Sequence, residues 1–404
     1  MLLLLLPFSI PSESLTLSAL AFIVLALQLP PVLILLSRLI QGPFRRPPLE
    51  PRKASSQQLE AVSVIVPTLN EVNRLSPCLS GLSLQGKEVR EIIVVDSHST
   101  DGTDDLVKKA QAKDSRLRLI YDEPLPADWV GRPWALQTGF LNSSPKSRWV
   151  LGIDADTQPQ AGLVAALVRA AESEGYDLIS LAPQFILRSP GELLLQPSLL
   201  MTLIYRFGPA GNFELSPERT MANGQCFLCR RELLVSLGGY SVARTSFCDD
   251  VTLARHAAQN GAKVAFWDGS RVLKVRMYEG FNETWKEWGR SLDLKDAASP
   301  EQVWWDIWFL VAVQGLPWLL VPLLLVLPET SLFVTLLKQV NLGLLIARFT
   351  LQVAIANSYD LQVSKYRWLF WLSPITDVAA VVRIIISSIQ RPTSWRGRQY
   401  ESVS

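Results

Sequence analysis

Between residues 61 and 300, short apolar runs alternate with longer stretches of helical periodicity. The runs are AVSVIVPT (61–68), EIIVVDS (91–97), LRLIYD (117–122), RWVLGIDAD (148–156) and DLISLAPQF (177–185). Helical patterns such as DGTDDLVKKAQAK (101–113) and QAGLVAALVRAAESEG (160–175) separate them. Strands that are apolar along their whole length must be covered on both faces. Strands alternating with helices are the pattern that supplies such cover, so the expected fold class is α/β with a mainly parallel mixed sheet. Sheets of this kind bind ligands beyond the carboxyl ends of their strands.

The rest of the chain is far more apolar. Overall, 49% of residues are hydrophobic, 19% are charged and the mean hydropathy is +0.20; soluble domains carry about 25% charged residues. A run without an acidic residue, LTLSALAFIVLALQLPPVLILLSRLI, fills residues 15–40, beyond the ~20 residues needed to cross a bilayer. A secretory leader is the competing reading. No basic segment precedes the run and it is long, which favours an uncleaved anchor over residues 1–40. Pro30 and Pro31 are expected to kink it. Arg38, Arg45, Arg46, Arg52 and Lys53 follow, which orients the main domain toward the cytosol. Residues 41–60 read as a linker, rich in proline and polar side chains.

After residue 300 three more apolar segments occur, at 303–328, 331–357 and 367–390, so residues 301–392 are expected to be transmembrane or interfacial helices. Nine of the thirteen tryptophans lie beyond residue 280, many beside these segments, as interface-seeking tryptophans do. Three crossings after a cytosolic domain would leave the tail outside, yet the tail, 393–404, is basic. One segment is therefore expected to be re-entrant or interfacial, with 331–357 (which carries Lys338, Asn341 and Arg348) or the proline-interrupted 303–328 as candidates. Inside the main domain, SPGELLLQPSLLMTLIYRF (189–207) has two readings: a core helix, or a helix lying on the bilayer that guides a lipid acceptor.

A net charge of +2 gives no drive toward nucleic acid, and no basic cluster interleaved with aromatics occurs. Cys78, Cys226, Cys229 and Cys248 are too few for a disulfide scaffold. Cys226 and Cys229 form a CxxC without the further ligands a zinc site needs, and buried strand cysteines are the simpler reading.

The chemistry gathers at strand ends. Glu71 stands just past the first run, in VPTLNE, and Asp96 ends the second, in VVDSHSTDGT. A carboxylate there can accept hydrogen bonds from a ribose hydroxyl or a base N–H; Asp96 can equally cap the following helix. Asp154 and Asp156 in LGIDADTQP are two residues apart, so extended backbone points both the same way. Like charges there make a poor structural device and a good seat for a divalent cation, which takes one or two carboxylates plus substrate phosphate oxygens. Asp249 and Asp250, in FCDDVTLARHAAQNGAKVAF, precede a helix expected at 251–260. They suit either helix capping or removal of a proton from an attacking hydroxyl, with Asp250 favoured as the base and Asp249 orienting it or close to the metal. His98 reads as a loop residue and His256 as a packing or surface residue.

With VSVIVPTLNE, VVDSHSTDGTDD, GRPWALQTG (131–139), IDAD, NGQCFLCRRELLVSLGGY (223–240) and CDDVTLA taken together, residues 60–300 resemble the family 2 glycosyltransferases of the GT-A fold. The resemblance implies a 61–300 catalytic domain, an inverting single displacement from a nucleotide-sugar donor, and Mg2+ or Mn2+. Matched residue by residue, it puts Pro67, Glu71, Asp96, Arg132 and Asp154 on the donor, Asp154 and Asp156 on the metal, Gly224 and Gln225 on the acceptor-side turn, and Asp250 as base. Processive members carry QxxRW after the base. This chain has TWKEWGRSLDLKD (284–296) instead, where Trp288 and Arg290 are the nearest counterparts, which argues against a polysaccharide synthase. DWVGRPWALQTGF, LAPQFILRSPGELLLQPSLLMTLIYRFGPAG, SFCDDVTLAR and the tail WRGRQY are similar to the membrane-bound carotenoid glycosyltransferases, including the cyanobacterial group acting on myxol-type carotenoids at the 2′-hydroxyl. That narrower resemblance implies a carotenoid acceptor. The residue chemistry by itself implies only a lipophilic one, and a ceramide- or sterol-type glycolipid remains the alternative. A non-catalytic membrane protein binding sugar lipids is the reading from another class; it would be expected to have lost these carboxylates.

Overall fold

The computed structural model describes residues 12–211, 216–290, 292–327, 331–390, 394–395 and 398–399. In chain order the main elements are α1 (Ser12–Leu39), β1 (Val62–Thr68), α2 (Leu75–Ser83), β2 (Val89–Asp96), α3 (Thr103–Gln111), β3 (Leu117–Tyr121), α4 (Gly131–Leu141), β4 (Trp149–Ile153), β5 (Thr157–Pro159), α5 (Leu163–Glu174), β6 (Leu178–Ala182), β7 (Gln184–Ile186) and α6 (Pro190–Phe207). Then follow β8 (Cys226–Arg230), α7 (Arg231–Ser236), α8 (Asp249–Gln259), β9 (Val264–Asp268), β10 (Leu273–Val275), α9 (Gly280–Glu287), α10 (Pro300–Leu310), α11 (Leu316–Val326), α12 (Leu332–Ala354), β11 (Tyr359–Asp360) and α13 (Asp377–Ile389). The expected 148–156 strand is thus two strands, β4 and β5, and the expected 177–185 strand divides into β6 and β7.

The central sheet has seven strands in the order β3-β2-β1-β4-β8-β6-β9. Only β8 runs against its neighbours, antiparallel to β4 and to β6. Period-two alternation sends Val62, Val64 and Val66 of β1 to one core, with α2 and α5, and Ile65 to the other, with α4 and α8. Burying each such side chain fully contributes about 1.5–3 kcal/mol. The same alternation splits the CxxC: Cys226 enters the first core and Cys229 the second. Both are free and buried, so they cannot share a metal or a disulfide.

The reversed strand matters for the site. Its antiparallel register sets Ile153 of β4 opposite Cys226, so the residues before β8 lie beside those after β4. Gly224 and Gln225 therefore meet Asp154 at the carboxyl edge of the sheet, and the Asp154 N–H donates to the Gln225 carbonyl at 3.3 Å. A four-stranded sheet, β11-β7-β10-β5, extends the fold toward the C-terminal region.

Residues 41–60 are bound to the domain and are not a free linker. Leu49 N–H donates to Asp268 O at 2.8 Å and Arg52 N–H to Gly162 O at 3.2 Å. The Trp267 indole donates to Pro47 O at 2.8 Å.

Four helical stretches are long and apolar enough to cross a membrane: Thr16–Phe44, Pro300–Val326, Leu332–Ala354 and Arg367–Ile389. The first three pack together. A reciprocal amide pair joins α1 to α12: Gln28 Nε2 donates to Asn341 Oδ1 at 2.8 Å and Asn341 Nδ2 to Gln28 Oε1 at 3.0 Å. α1 runs through Pro30 and Pro31. A π-helical turn, Val311–Gly315, joins α10 to α11.

The fourth stretch differs. It is a 3-10 helix, Arg367–Thr376, followed by α13, and it lies along the catalytic domain. Arg383 Nε donates to Trp285 O at 2.7 Å, Lys295 Nζ to Ser387 O at 2.6 Å and Thr376 Oγ1 to Leu194 O at 2.8 Å. Upstream of it, Lys274 pairs with Asp360 at 2.7 Å and β11 joins β7. The segment 367–390 thus packs on α6, and the stretch Pro300–Val326 is bonded to the domain too, Gln302 Nε2 donating to Glu218 O at 3.3 Å and Gln314 Nε2 to Ser198 O at 3.1 Å. Arg348, which made 331–357 suspect, is answered by Asp377 in a buried pair at 2.7 Å, and Asn341 by Gln28. α6 is largely buried between this segment, α9 and α10, which decides for the core-helix reading over a helix lying on the bilayer.

Candidate active site

α4 begins at Gly131, putting Arg132 in its first turn with its buried guanidinium aimed at the sheet edge. Arg132 Nε donates to Asp154 Oδ1 at 2.9 Å, its Nη2 to Gly224 O at 2.6 Å, and its Nη1 to Asp249 Oδ2. Asp249 and Asp250 are the first two residues of α8, two positions earlier than the helix expected at 251–260. Two carboxylates in the first turn are favoured by the free N–H groups and dipole there. Asp250 Oδ2 accepts from Gly224 N–H at 2.5 Å. The glycine leaves room for the guanidinium: a Cβ on residue 224 would lie 2.5 Å from Arg132 Nη2.

One guanidinium thus faces three carboxylates, Asp154, Asp249 and Asp250. Burial works against the Arg132 charge, but the three acids outweigh it and hold its pKa above the ordinary guanidinium range. Burial pushes Asp249 up to about 7, with Arg132 pulling it down and Asp250 and Asp154 pushing it further up. Asp250 is raised for the same leading reason. A carboxylate whose pKa is raised by burial holds a proton more strongly than a free one, which suits a proton acceptor.

These groups line a cavity of about 850 Å3 together with Asp156, Gln225 and Trp288. Gln225 is held by Asn223, whose Nδ2 donates to Gln225 Oε1 at 3.1 Å. Trp288 stacks on Phe185, ring centroids 5.8 Å apart. The side chain of Arg290 lies outside the described residues.

The remaining donor-side candidates form a neighbouring group. Asp96 is buried at the end of β2 and accepts from Ser99 N–H at 2.9 Å, Ser99 Oγ at 2.5 Å and Thr68 Oγ1 at 3.2 Å. Its position is the strand end, and its bonds run to the following loop as a local cap would. Pro67 is in β1, one residue from the edge, and Glu71 follows at the same edge. None of these three lines the large cavity. His98 Nε2 contacts Asp122 O at 2.9 Å and stacks on Tyr121; it stays a loop residue.

Sequence reasoning missed Arg74 and Glu283, which pair at 2.8 Å and tie the loop after β1 to α9. Glu71 and Asp156 both act electrostatically on Arg74, so it links the two groups of acids. No sequence signal marks this: the pair spans 209 residues.

Residues 63–238 match the model of Glycosyl transferase family 2. Among its relatives, the 4,4'-diaponeurosporenoate glycosyltransferase of Staphylococcus haemolyticus is 24% identical over 60% of this chain and 63% of that protein. The probable glycosyltransferase YdaM of Bacillus subtilis is 25% identical over 62% of this chain and 59% of that one. The chain thus spans less than two thirds of either relative. The mannosyltransferase PcManGT of Pyrobaculum calidifontis, solved with GDP-Man and Mn2+, superposes with a TM-score of 0.54 at 19% identity, covering 92% of this chain and 99% of that one. The shared fold is a mixed α/β sheet of the GT-A kind.

Proposed function

We propose that this protein is a membrane-bound inverting glycosyltransferase that moves a sugar from a nucleotide-sugar donor to a hydroxyl of a lipophilic acceptor. The observation that carries the reading is the cavity itself, lined both by a buried acid cluster and by apolar residues of helices suited to a bilayer. The acceptor hydroxyl oxygen attacks the anomeric carbon as the bond to the nucleotide diphosphate breaks, which inverts that carbon. Asp250 takes the hydroxyl proton, and Asp249 with Arg132 orients the cluster.

Asp154 and Asp156 fit a divalent cation in type, being two hard oxygen donors on one cavity wall. Among the described residues no group of three or more His, Cys, Asp or Glu forms a self-sufficient metal site, as suits an ion that takes the rest of its shell from substrate phosphates. Mg2+ or Mn2+ bound there would neutralise charge developing on the leaving diphosphate. The GDP-Man and Mn2+ bound by PcManGT support a nucleotide sugar and a divalent ion here. Pro67, Glu71 and Asp96 are the proposed nucleotide side, with Gly224, Gln225, Trp288 and Arg290 on the acceptor or phosphate side.

The acceptor we infer is a carotenoid, of myxol type with a 2′-hydroxyl. The motifs quoted above and the name of the Staphylococcus relative support that choice. For the membrane we propose three crossings, by α1, α10–α11 and α12, with the catalytic domain and the segment 355–390 on the cytosolic side. The bonds tying that segment to the domain support this arrangement, and it accounts for the basic tail without an extra crossing.

The deciding experiment compares glycosylated pigments by mass spectrometry in host cells with and without the protein. Loss of carotenoid glycosides is expected. Unchanged glycosides would refute the carotenoid acceptor. Transfer from nucleotide sugars that persists undiminished in EDTA would refute the metal.

A further inference from the structure

The large cavity extends well beyond what one sugar requires. One wall is a stripe on α6, where Leu200, Leu203, Ile204 and Phe207 recur at helical spacing and line the cavity. The stripe spans roughly 10 Å at 1.5 Å per residue. Phe207 and Leu203 pack with Val251, the residue after Asp250. The lining also takes in Leu39, the last residue of α1, and Leu351 and Ala354 in the last turn of α12. Both of those helices carry exposed apolar faces, Leu33 at 63%, Ile346 at 60% and Val353 at 64%. Such faces are stable only against lipid or another apolar surface. The cavity thus joins a carboxylate site to the ends of two helices suited to hydrocarbon. Of its charged lining residues, Arg132, Asp154, Asp156, Asp249 and Asp250 belong to the candidate site, Arg45 and Asp268 pair with each other at 3.6 Å, and Glu283 and Glu287 lie on α9; none belongs to the α6 stripe or to the last turns of α1 and α12.

We infer that the acceptor enters sideways from the bilayer, between the C-terminal ends of α1 and α12, and lies along α6 with its hydroxyl foremost at Asp250. The inference rests on the transferase reading above and adds to it the route and the shape of the acceptor: a slender apolar chain with a terminal or near-terminal hydroxyl. α6 guides the acceptor from within the protein and not from the membrane surface. The donor arrives from the opposite side, over the ends of β1, β2 and β4. Two substrates that share no solvent therefore meet at one point, with little translational freedom left to lose in the reaction.

The test uses the full chain in membranes, with labelled nucleotide sugars and a total lipid extract of the host as acceptor. Ile204→Trp and Leu351→Trp place plugs at two depths, and Ile346→Trp adds the same bulk on the exposed side of α12. Each plug is expected to lower transfer into the organic phase about a hundredfold, as misplacing a reacting group does, with Mn2+-dependent nucleotide diphosphate binding unchanged. The Ile346→Trp variant is expected to stay within about twofold of the unaltered protein, as surface changes do. Plug variants that transfer at the full rate would overturn the inference and leave the transferase reading standing. A second readout does not depend on transfer. The four native cysteines are buried, so Leu351→Cys supplies a single accessible thiol. It is expected to react with lipid-soluble N-ethylmaleimide and not with a sulfonated maleimide supplied from water. Equal reaction with both would mean that this end opens to solvent, and the lateral route would fall. If the unaltered protein transferred no sugar from any nucleotide donor, the transferase reading would fail instead, and the maleimide result would still decide where the cavity opens.

Discussion

Replacing Gly224 with alanine should uncouple the acid cluster while leaving the fold intact. Residue 224 does not adopt positive φ, so the backbone accepts alanine without strain. The added Cβ would lie 2.5 Å from Arg132 Nη2, 2.7 Å from Cζ and 2.9 Å from Nη1, where ordinary contacts need about 3.5–4.0 Å. The guanidinium must therefore retreat by about an ångström, far enough to lose its bonds to Asp249 and to Gly224 O. Hydrogen bonds to charged groups contribute about 1.5–3 kcal/mol each. Losing the equivalent of one or two, about 3 kcal/mol, lowers transfer about a hundredfold at 1.36 kcal/mol per decade. The pH profile should move as well. Arg132 holds Asp249 and Asp250 down against burial, so its retreat raises both. The base acts when deprotonated, so the acid limb of the rate profile should shift to higher pH. Initial rates across pH with purified protein in detergent measure both effects, and circular dichroism checks the fold. A Gly224→Ala variant with the original rate and the original acid limb would refute the idea that Arg132 organises the cluster.

Four further outcomes are expected. Asp250→Asn should lower transfer by about 10^2–10^4, the usual share of a positioned base, with nucleotide binding retained. Because the folded-state pKa of Asp250 is raised, its contribution to stability is present at low pH and is lost as pH rises through that pKa. The asparagine variant should therefore gain thermal stability over the original protein at pH 8 and not at pH 4; an equal shift at both would refute this. In the bundle, Asp377→Leu alone leaves Arg348 buried without its partner and should cost about 3–5 kcal/mol, while the double change with Arg348→Met should cost less than the single. Additive losses in detergent unfolding would deny the coupling. A tag placed after residue 404 should be protease-accessible on the same membrane face as the catalytic domain; protection of the tag would refute three crossings.

The parts of this protein legible in its sequence are those written in local periodicity. The apolar runs found β1, β2 and β3 to within two residues, because a strand covered on both faces cannot be built from anything else. The acids at strand ends were legible for the same reason: Asp96 and Asp154 stand where the apolar runs stop. What stayed hidden depended on distant partners. The bonds of Arg132 go to residues 22, 92 and 117 positions away. Arg348 and Asn341 looked like flaws in a membrane span, because their partners, Asp377 and Gln28, sit in other helices. The expected linker at 41–60 has a loop-like composition, yet its backbone groups find partners on β9 and beside α5.

The strap formed by residues 355–390 has a consequence for how the chain is made. β7 gains its outer neighbour only from β11, 173 residues later by the Gln184–Asn357 contact, and α6 is covered by a segment that is synthesised after α12. A ribosome that has finished the catalytic sequence has therefore not finished the catalytic domain. Its apolar edge must wait until α10, α11 and α12 have been made and the chain has returned. Under the three-crossing arrangement proposed above, insertion becomes a condition for closing the enzyme's own core, and a copy that misses the membrane should emerge as an open, protease-sensitive body, unable to act on soluble sugars.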